Sequence, residues 1–215
     1  MKGFTRPSSC SQNPSSPMST THLLYLHGFR SSPLSTKAQK MAAVVRALHP
    51  AVHWWCPQLP PSPSAAMQLL RDGVAHWPGS PGFGGMAVVG SSLGGFYAAA
   101  LARECRCRAV LINPAVDAAR DLTRHIGVQA SWHDPAQSFV FTPQHVLELR
   151  ALHDGPMTAP SQTLAIIAKG DEVLDWREML SRCSSAQVRL VEGGDHALSD
   201  FNDHLPAVLE FLDLA

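Results

Sequence analysis

Met86-Ala87-Val88-Val89-Gly90-Ser91-Ser92-Leu93-Gly94-Gly95 joins an apolar run to a G-x-S-x-G motif, and Leu93 to Arg103 beyond it is rich in Ala and Leu, as a helix requires. A run that is apolar throughout, rather than alternating, marks a strand buried on both faces of a parallel sheet. Between such a strand and a helix, a serine flanked by glycines reads as a nucleophile elbow. The sharp turn strains the serine backbone, so its neighbours must be small. The hydroxyl then stands clear of the sheet, at the positive end of the following helix. Ser92 is the candidate nucleophile, and Ser91 is the x residue before it.

Working outward, the same rhythm repeats. His22-Leu23-Leu24-Tyr25-Leu26 is an apolar run ending at His27-Gly28, and Met41, Val44, Val45 and Leu48 then recur at helical spacing within 37–48. Val52 to Cys56 reads as a second strand, closed by Pro57, Pro60, Pro61 and Pro63. Ser64 to Trp77 reads as a helix, and Gly82 to Gly85 as a turn. Downstream, Ala109 to Ile112, Leu164 to Ala168 and Val188 to Val191 read as three further strands. Phe201 to Leu214 reads as a closing amphipathic helix, with Pro206 near its first turn. Strands alternating with helices predict an α/β fold with about six parallel strands flanked by helices. Residues 114–160 break the rhythm with Trp132, Phe139 and Phe141 among polar residues. Helical patches are expected at Ala118 to His125 and Gln144 to Leu152, and the stretch is expected to form a small cap over a substrate pocket.

A serine hydroxyl needs a base, and the base needs an acid to orient it. In this fold class those groups follow the serine in the order Asp or Glu, then His. The fifth run leads into Lys169-Gly170-Asp171-Glu172-Val173 and the sixth into Glu192-Gly193-Gly194-Asp195-His196, so Asp171 and His196 each stand at a strand's C-terminal end. Parallel strands bring those ends to one edge of the sheet, where open α/β folds bind ligands. The bland readings are a turn histidine after two glycines and an ordinary loop carboxylate. Among rival acids, Asp175 reads as a first-turn residue of the next helix, Glu172 should point elsewhere, and Asp195 should shape the histidine loop. The oxyanion of an acyl-transfer intermediate needs two fixed donors. The candidates are the backbone N–H of Leu93, after the nucleophile, and of Phe29, in the loop after the first strand. His27 reads as a structural support of that loop.

Composition narrows the remaining classes. The 215 residues suit one domain, with 45% apolar and 16% charged residues. Lys plus Arg equals Asp plus Glu at 17 each, so the chain lacks the basic excess of a nucleic-acid-binding surface. No apolar run approaches the ~20 residues of a membrane-spanning helix. The N-terminal 20 residues, rich in Ser, Pro and Thr, are expected to be a disordered extension rather than a signal peptide, with Met18 as a candidate start. The five cysteines, Cys10, Cys56, Cys105, Cys107 and Cys183, form no disulfide framework and suit a reducing compartment. Cys105 and Cys107 lack a second pair at metal spacing, so no metal or cofactor is expected.

The ordered set of Leu24-Tyr25-Leu26-His27-Gly28-Phe29, Ser31-Ser32-Pro33, Gly90 to Ala98, Ile112-Asn113-Pro114-Ala115, Lys169 to Asp175 and Gly194-Asp195-His196 resembles the YqiA/YcfP family of small bacterial α/β-hydrolase esterases. The resemblance runs from about Thr21 to the C-terminus. It implies a single-domain cytoplasmic esterase without a cofactor, acting on a small-molecule ester or thioester, with a triad at Ser92, Asp171 and His196. It also implies the strand order 2-1-3-4-5-6. An acyl-CoA thioesterase, an amidase, an acyltransferase or a non-catalytic binding protein on the same fold stays open, as does the oligomeric state.

Overall fold

Strands that are apolar along their whole length have two faces to bury, and the computed structural model shows both covered. It describes residues 19–78, 85–132, 134, 136–152 and 160–214. Nearly all of the N-terminal extension, Met18 and most of the Gly82–Gly85 turn lie outside the described residues. Six strands, β1 (His22–Leu26), β2 (His53–Trp55), β3 (Met86–Ser91), β4 (Arg108–Ile112), β7 (Thr163–Ala168) and β8 (Gln187–Val191), form one sheet in the order β2-β1-β3-β4-β7-β8. Every neighbouring pair is parallel. That is the strand order the resemblance implies.

Alternate residues of each strand feed two apolar layers, because successive side chains point to opposite faces. Leu24, Leu26, Val88, Leu111 and Ala165 meet α2 (Pro63–Ala75), α3 (Leu93–Cys105) and α6 (Trp176–Cys183) on one side. Leu23, Tyr25, Val89, Val110 and Ile166 meet α1 (Thr36–Leu48) and α7 (Phe201–Phe211) on the other. The helices start where their caps allow. Ser62 accepts a hydrogen bond from the Ala65 N–H, and Pro63 occupies the first turn of α2, where no N–H is needed. The second and last helices end at Ala75 and Phe211, short of Trp77 and Leu214.

Between β4 and β7 the chain makes α4 (Ala118–Leu122), a short 3-10 turn, an antiparallel hairpin of β5 (Gly127–Ala130) and β6 (Ser138–Phe141), and α5 (Pro143–Leu152). The two helical patches lie close to where the sequence places them; the hairpin between them is an addition. It sits against the loop after β1. The Trp132 N–H donates to Arg30 O at 2.8 Å, and Arg30 Nε donates to Ala130 O at 2.7 Å. Phe29 meets Phe139 and Phe141 edge-on, with centroids 5.7 and 5.2 Å away. No helix among the described residues is long and apolar enough to cross a membrane.

Candidate active site

The turn from β3 into α3 holds Ser92 at φ 56° and ψ −122°, a left-handed conformation that side chains rarely adopt. Its closeness explains the flanking glycines. A Cβ on Gly94 would lie 2.0 Å from Leu26 O, and one on Gly90 would lie 2.2 Å from Gly94 O. The elbow is pressed between the end of β1 and its own helix, so no side chain fits at either position.

Asp171 follows β7, and His196 follows β8, so both stand at the same sheet edge as Ser92. His196 Nε2 lies 3.0 Å from Ser92 Oγ, and His196 Nδ1 lies 2.7 Å from Asp171 Oδ2. An ionised carboxylate only accepts hydrogen bonds, so Nδ1 carries the proton and Nε2 presents a lone pair to the serine hydroxyl. The Asp171 side chain is wholly buried. Its other oxygen accepts from the N–H groups of Val173 and Leu174 at 2.9 and 2.8 Å, which fixes its orientation.

The rival acids have other partners. Asp175 caps α6 from outside the helix, accepting from the Arg177 N–H at 2.9 Å, rather than sitting within its first turn. Asp195 accepts from the Ser199 hydroxyl and N–H at 2.6 and 2.8 Å; those bonds hold its carboxyl below the usual carboxylate range. Glu172 departs from expectation. Instead of pointing away, its carboxylate accepts the backbone N–H of His196 at 2.9 Å.

Phe29 stands in the loop after β1, and Leu93 directly follows Ser92. Leu93 is the first residue of α3, where a backbone N–H has no carbonyl one turn back to bond. Gly28, just before Phe29, packs so closely that a Cβ there would lie 3.6 Å from Ser92 Oγ. His27 supports this loop: it is buried, its Nε2 accepts the Leu59 N–H at 3.1 Å, and its Nδ1 therefore donates to Gly28 O at 3.0 Å. A cleft of about 870 Å³ opens here, walled by Phe29, Leu59, Leu93, Tyr97 and Phe139, with Arg30, Gln58 and Asp134 as polar members.

Three residues at this edge were not singled out as site residues from the sequence. Asn113 donates its amide to Asp195 O and His196 O at 3.0 and 3.1 Å. Arg30, at φ 61°, lies over the Trp132 ring at 4.1 Å and ties the hairpin to the β1 loop. Lys37 of α1 donates to Ala197 O, and burial pushes its amine down to about 8 against the opposing pull of Asp195 and Asp171. The only advance signal was an asparagine before proline at a strand end, a residue type that tolerates positive φ. Among the described residues no group of three or more His, Cys, Asp or Glu side chains could hold a metal ion. Cys105 and Cys107 are buried free thiols, and burial pushes Cys107 up to about 12.

Known structures share this architecture. A protein from Agrobacterium vitis described as a hydrolase superposes with a TM-score of 0.72 at 19% identity, over 90% of each chain. Mouse alpha/beta hydrolase domain-containing protein 10 gives 0.66 at 16% identity, over 91% of each chain. A structure reported for the metagenome-derived lipolytic enzymes LipS and LipT gives 0.62 at 15% identity, over 92% of this chain and 96% of that one. At such identities the likeness establishes the α/β-hydrolase fold. The sequence model of one family, of the YqiA/YcfP type that the motifs resemble, matches residues 22–213, and the chain therefore belongs to the uncharacterised protein family UPF0227.

Proposed function

We infer that the chain is a serine hydrolase that cleaves carboxylic esters or acyl thioesters through an acyl-enzyme. The observation that carries this reading is the hydrogen-bonded line Ser92–His196–Asp171, with gaps of 3.0 and 2.7 Å, anchored on a strained elbow. The 3.0 Å gap is within the reach proton transfer needs, and the 2.7 Å bond orients the base.

In the proposed reaction His196 Nε2 takes the Ser92 proton as Oγ attacks the carbonyl carbon. Asp171 keeps the imidazole in the required tautomer and stabilises the imidazolium that forms. The backbone N–H groups of Phe29 and Leu93 receive the oxyanion, each such donor being worth about 3 kcal/mol. The intermediate collapses, the C–O or C–S bond breaks, and His196 returns the proton to the leaving alcohol or thiol. Water then attacks the acyl-enzyme with His196 again as base, releasing the acid and restoring Ser92. No step calls for a metal or cofactor. The apolar walls of the adjoining cleft support an uncharged acyl or aryl group as its occupant.

The test is labelling with a fluorophosphonate probe, with the modified peptide mapped by mass spectrometry. Modification at Ser92 that disappears in His196→Ala is the expected result. A folded protein that stays unlabelled would instead favour a binding protein on this fold. A paired series of esters and thioesters of one acyl group then sorts the leaving groups.

A further inference from the structure

One turn at the end of β4, Ile112–Ala115, bonds to Ser92, to the end of the strand that leads to Asp171, and to His196. Ile112 O accepts the Ser92 N–H at 3.0 Å, and the Ala115 N–H donates to Ser92 O at 3.1 Å, so the nucleophile's backbone is held at both its N–H and its carbonyl. The Asn113 N–H donates to Ile166 O at 2.9 Å, and Asn113 Oδ1 accepts the Ala168 N–H at 2.8 Å. Those bonds fix the end of β7, from which Asp171 projects. Asn113 Nδ2 donates to Asp195 O and His196 O, and so reaches the third loop. The residue is fully buried at φ 40°, and both ends of its amide are engaged.

His196 needs such anchors. Its loop runs through Gly193 and Gly194, at φ 70° and 73°, a backbone path that side chains rarely adopt. Its ring must stay within hydrogen-bond reach of two partners at once. Asn113 holds the His196 carbonyl from the protein side, and exposed Glu172 holds its N–H from the solvent side. The backbone of the base is thus clamped between the acid's loop and the turn that supports the nucleophile.

We propose that Asn113 is a positioning residue that sets the His196 ring between Ser92 and Asp171, with Glu172 as its second anchor. This rests on the serine-hydrolase reading. Asn113 touches no reacting atom and acts through the His196 loop. Glu172 acts by accepting a hydrogen bond, so an amide at that position should serve nearly as well as a carboxylate.

Three variants test it: Asn113→Ala, Glu172→Ala and Glu172→Gln. The readouts are the rate of fluorophosphonate labelling at Ser92, kcat and KM for p-nitrophenyl acetate, and the far-downfield proton resonance of the His196 Nδ1–H, identified by its loss in His196→Ala. A misplacement near 1 Å costs on the order of 100-fold. Asn113→Ala should therefore slow labelling and kcat about 10- to 100-fold, with KM within about twofold and the ring resonance broadened or lost. Glu172→Ala should slow both several-fold, and Glu172→Gln should restore them. Rates within about twofold of wild type in both alanine variants would overturn the proposal, as would Glu172→Gln behaving like Glu172→Ala. If Asn113→Ala shows no melting transition, the Glu172 pair decides alone. If wild type is not labelled, the hydrolase reading fails separately. The resonance then decides the positioning role, its loss in folded Asn113→Ala supporting it and its persistence overturning it.

Discussion

At Gly28 the main chain leaves the nucleophile no spare room, since a Cβ there would lie 3.2 Å from Ser92 Cβ and 3.6 Å from Oγ. Gly28→Ala should displace the loop that carries the Phe29 N–H by tenths of an ångström. The expected result is a fall in kcat of about tenfold with the fold retained, because oxyanion donors act only at short range. Steady-state kinetics beside a melting curve checks it, and an unchanged kcat would remove Phe29 from the oxyanion site. Lys37 yields a pH prediction. Its folded pKa is about 8, below the ordinary lysine value near 10.4. Between those values the unfolded chain binds more protons than the folded one, so the Lys37 contribution to stability rises with pH across that window. Wild-type stability minus that of Lys37→Met should increase from pH 8 to pH 10; a flat difference would contradict the partly desolvated amine. At this scale the three side chains of the proposed triad, which the fold brings within hydrogen-bond reach, were legible from the order Ser92, Asp171, His196, each after its own apolar run. Asn113 and Glu172 were not, because their roles lie in bonds to residues 55 to 83 and 24 positions away, which no local pattern carries.

Among the elements, the segment between β4 and β7 meets the body through contacts of very different weight. Phe141 is fully buried against Phe29, so Phe141→Ala should cost about 3–5 kcal/mol, read as a loss of denaturant midpoint. Arg120 forms a bidentate pair with Glu178 across α4 and α6, at 3.0 and 2.6 Å, but its side chain is 54% exposed. Water screens such a pair, so Arg120→Ala should cost less than about 1 kcal/mol, and less still in high salt. A ranking with Arg120 above Phe141 would mean that polar latches, not aromatic packing, hold the segment. The hairpin escaped the sequence for a physical reason. Its outward face carries Val128 and Val140, 72% and 56% exposed and directly paired, while its inward face carries Gln129 beside Phe139. β5 inverts the expected alternation and β6 is apolar at three of its four positions, so neither four-residue strand reads as half-buried. The four central strands, β1, β3, β4 and β7, read easily because burial on both faces leaves few polar positions to confuse the pattern.

Over the whole molecule, stability should be graded outward from the sheet centre. β3 lies between β1 and β4, and all six of its residues are buried, so its ladder opens only when both apolar layers come apart. The β5–β6 hairpin has two strands, and its outer face carries the exposed Val128 and Val140. A two-stranded unit of that kind is marginal by itself and borrows its order from the contacts of its own Phe139 and Phe141 with Phe29. Segments that border binding clefts tend to come from the low end of the local stability range. Amide hydrogen exchange measured by mass spectrometry should therefore show peptides over 127–141 exchanging well before those over 86–91. Equal protection in the two regions would mean that the hairpin opens only with the core. The cleft it borders would then be a fixed cavity.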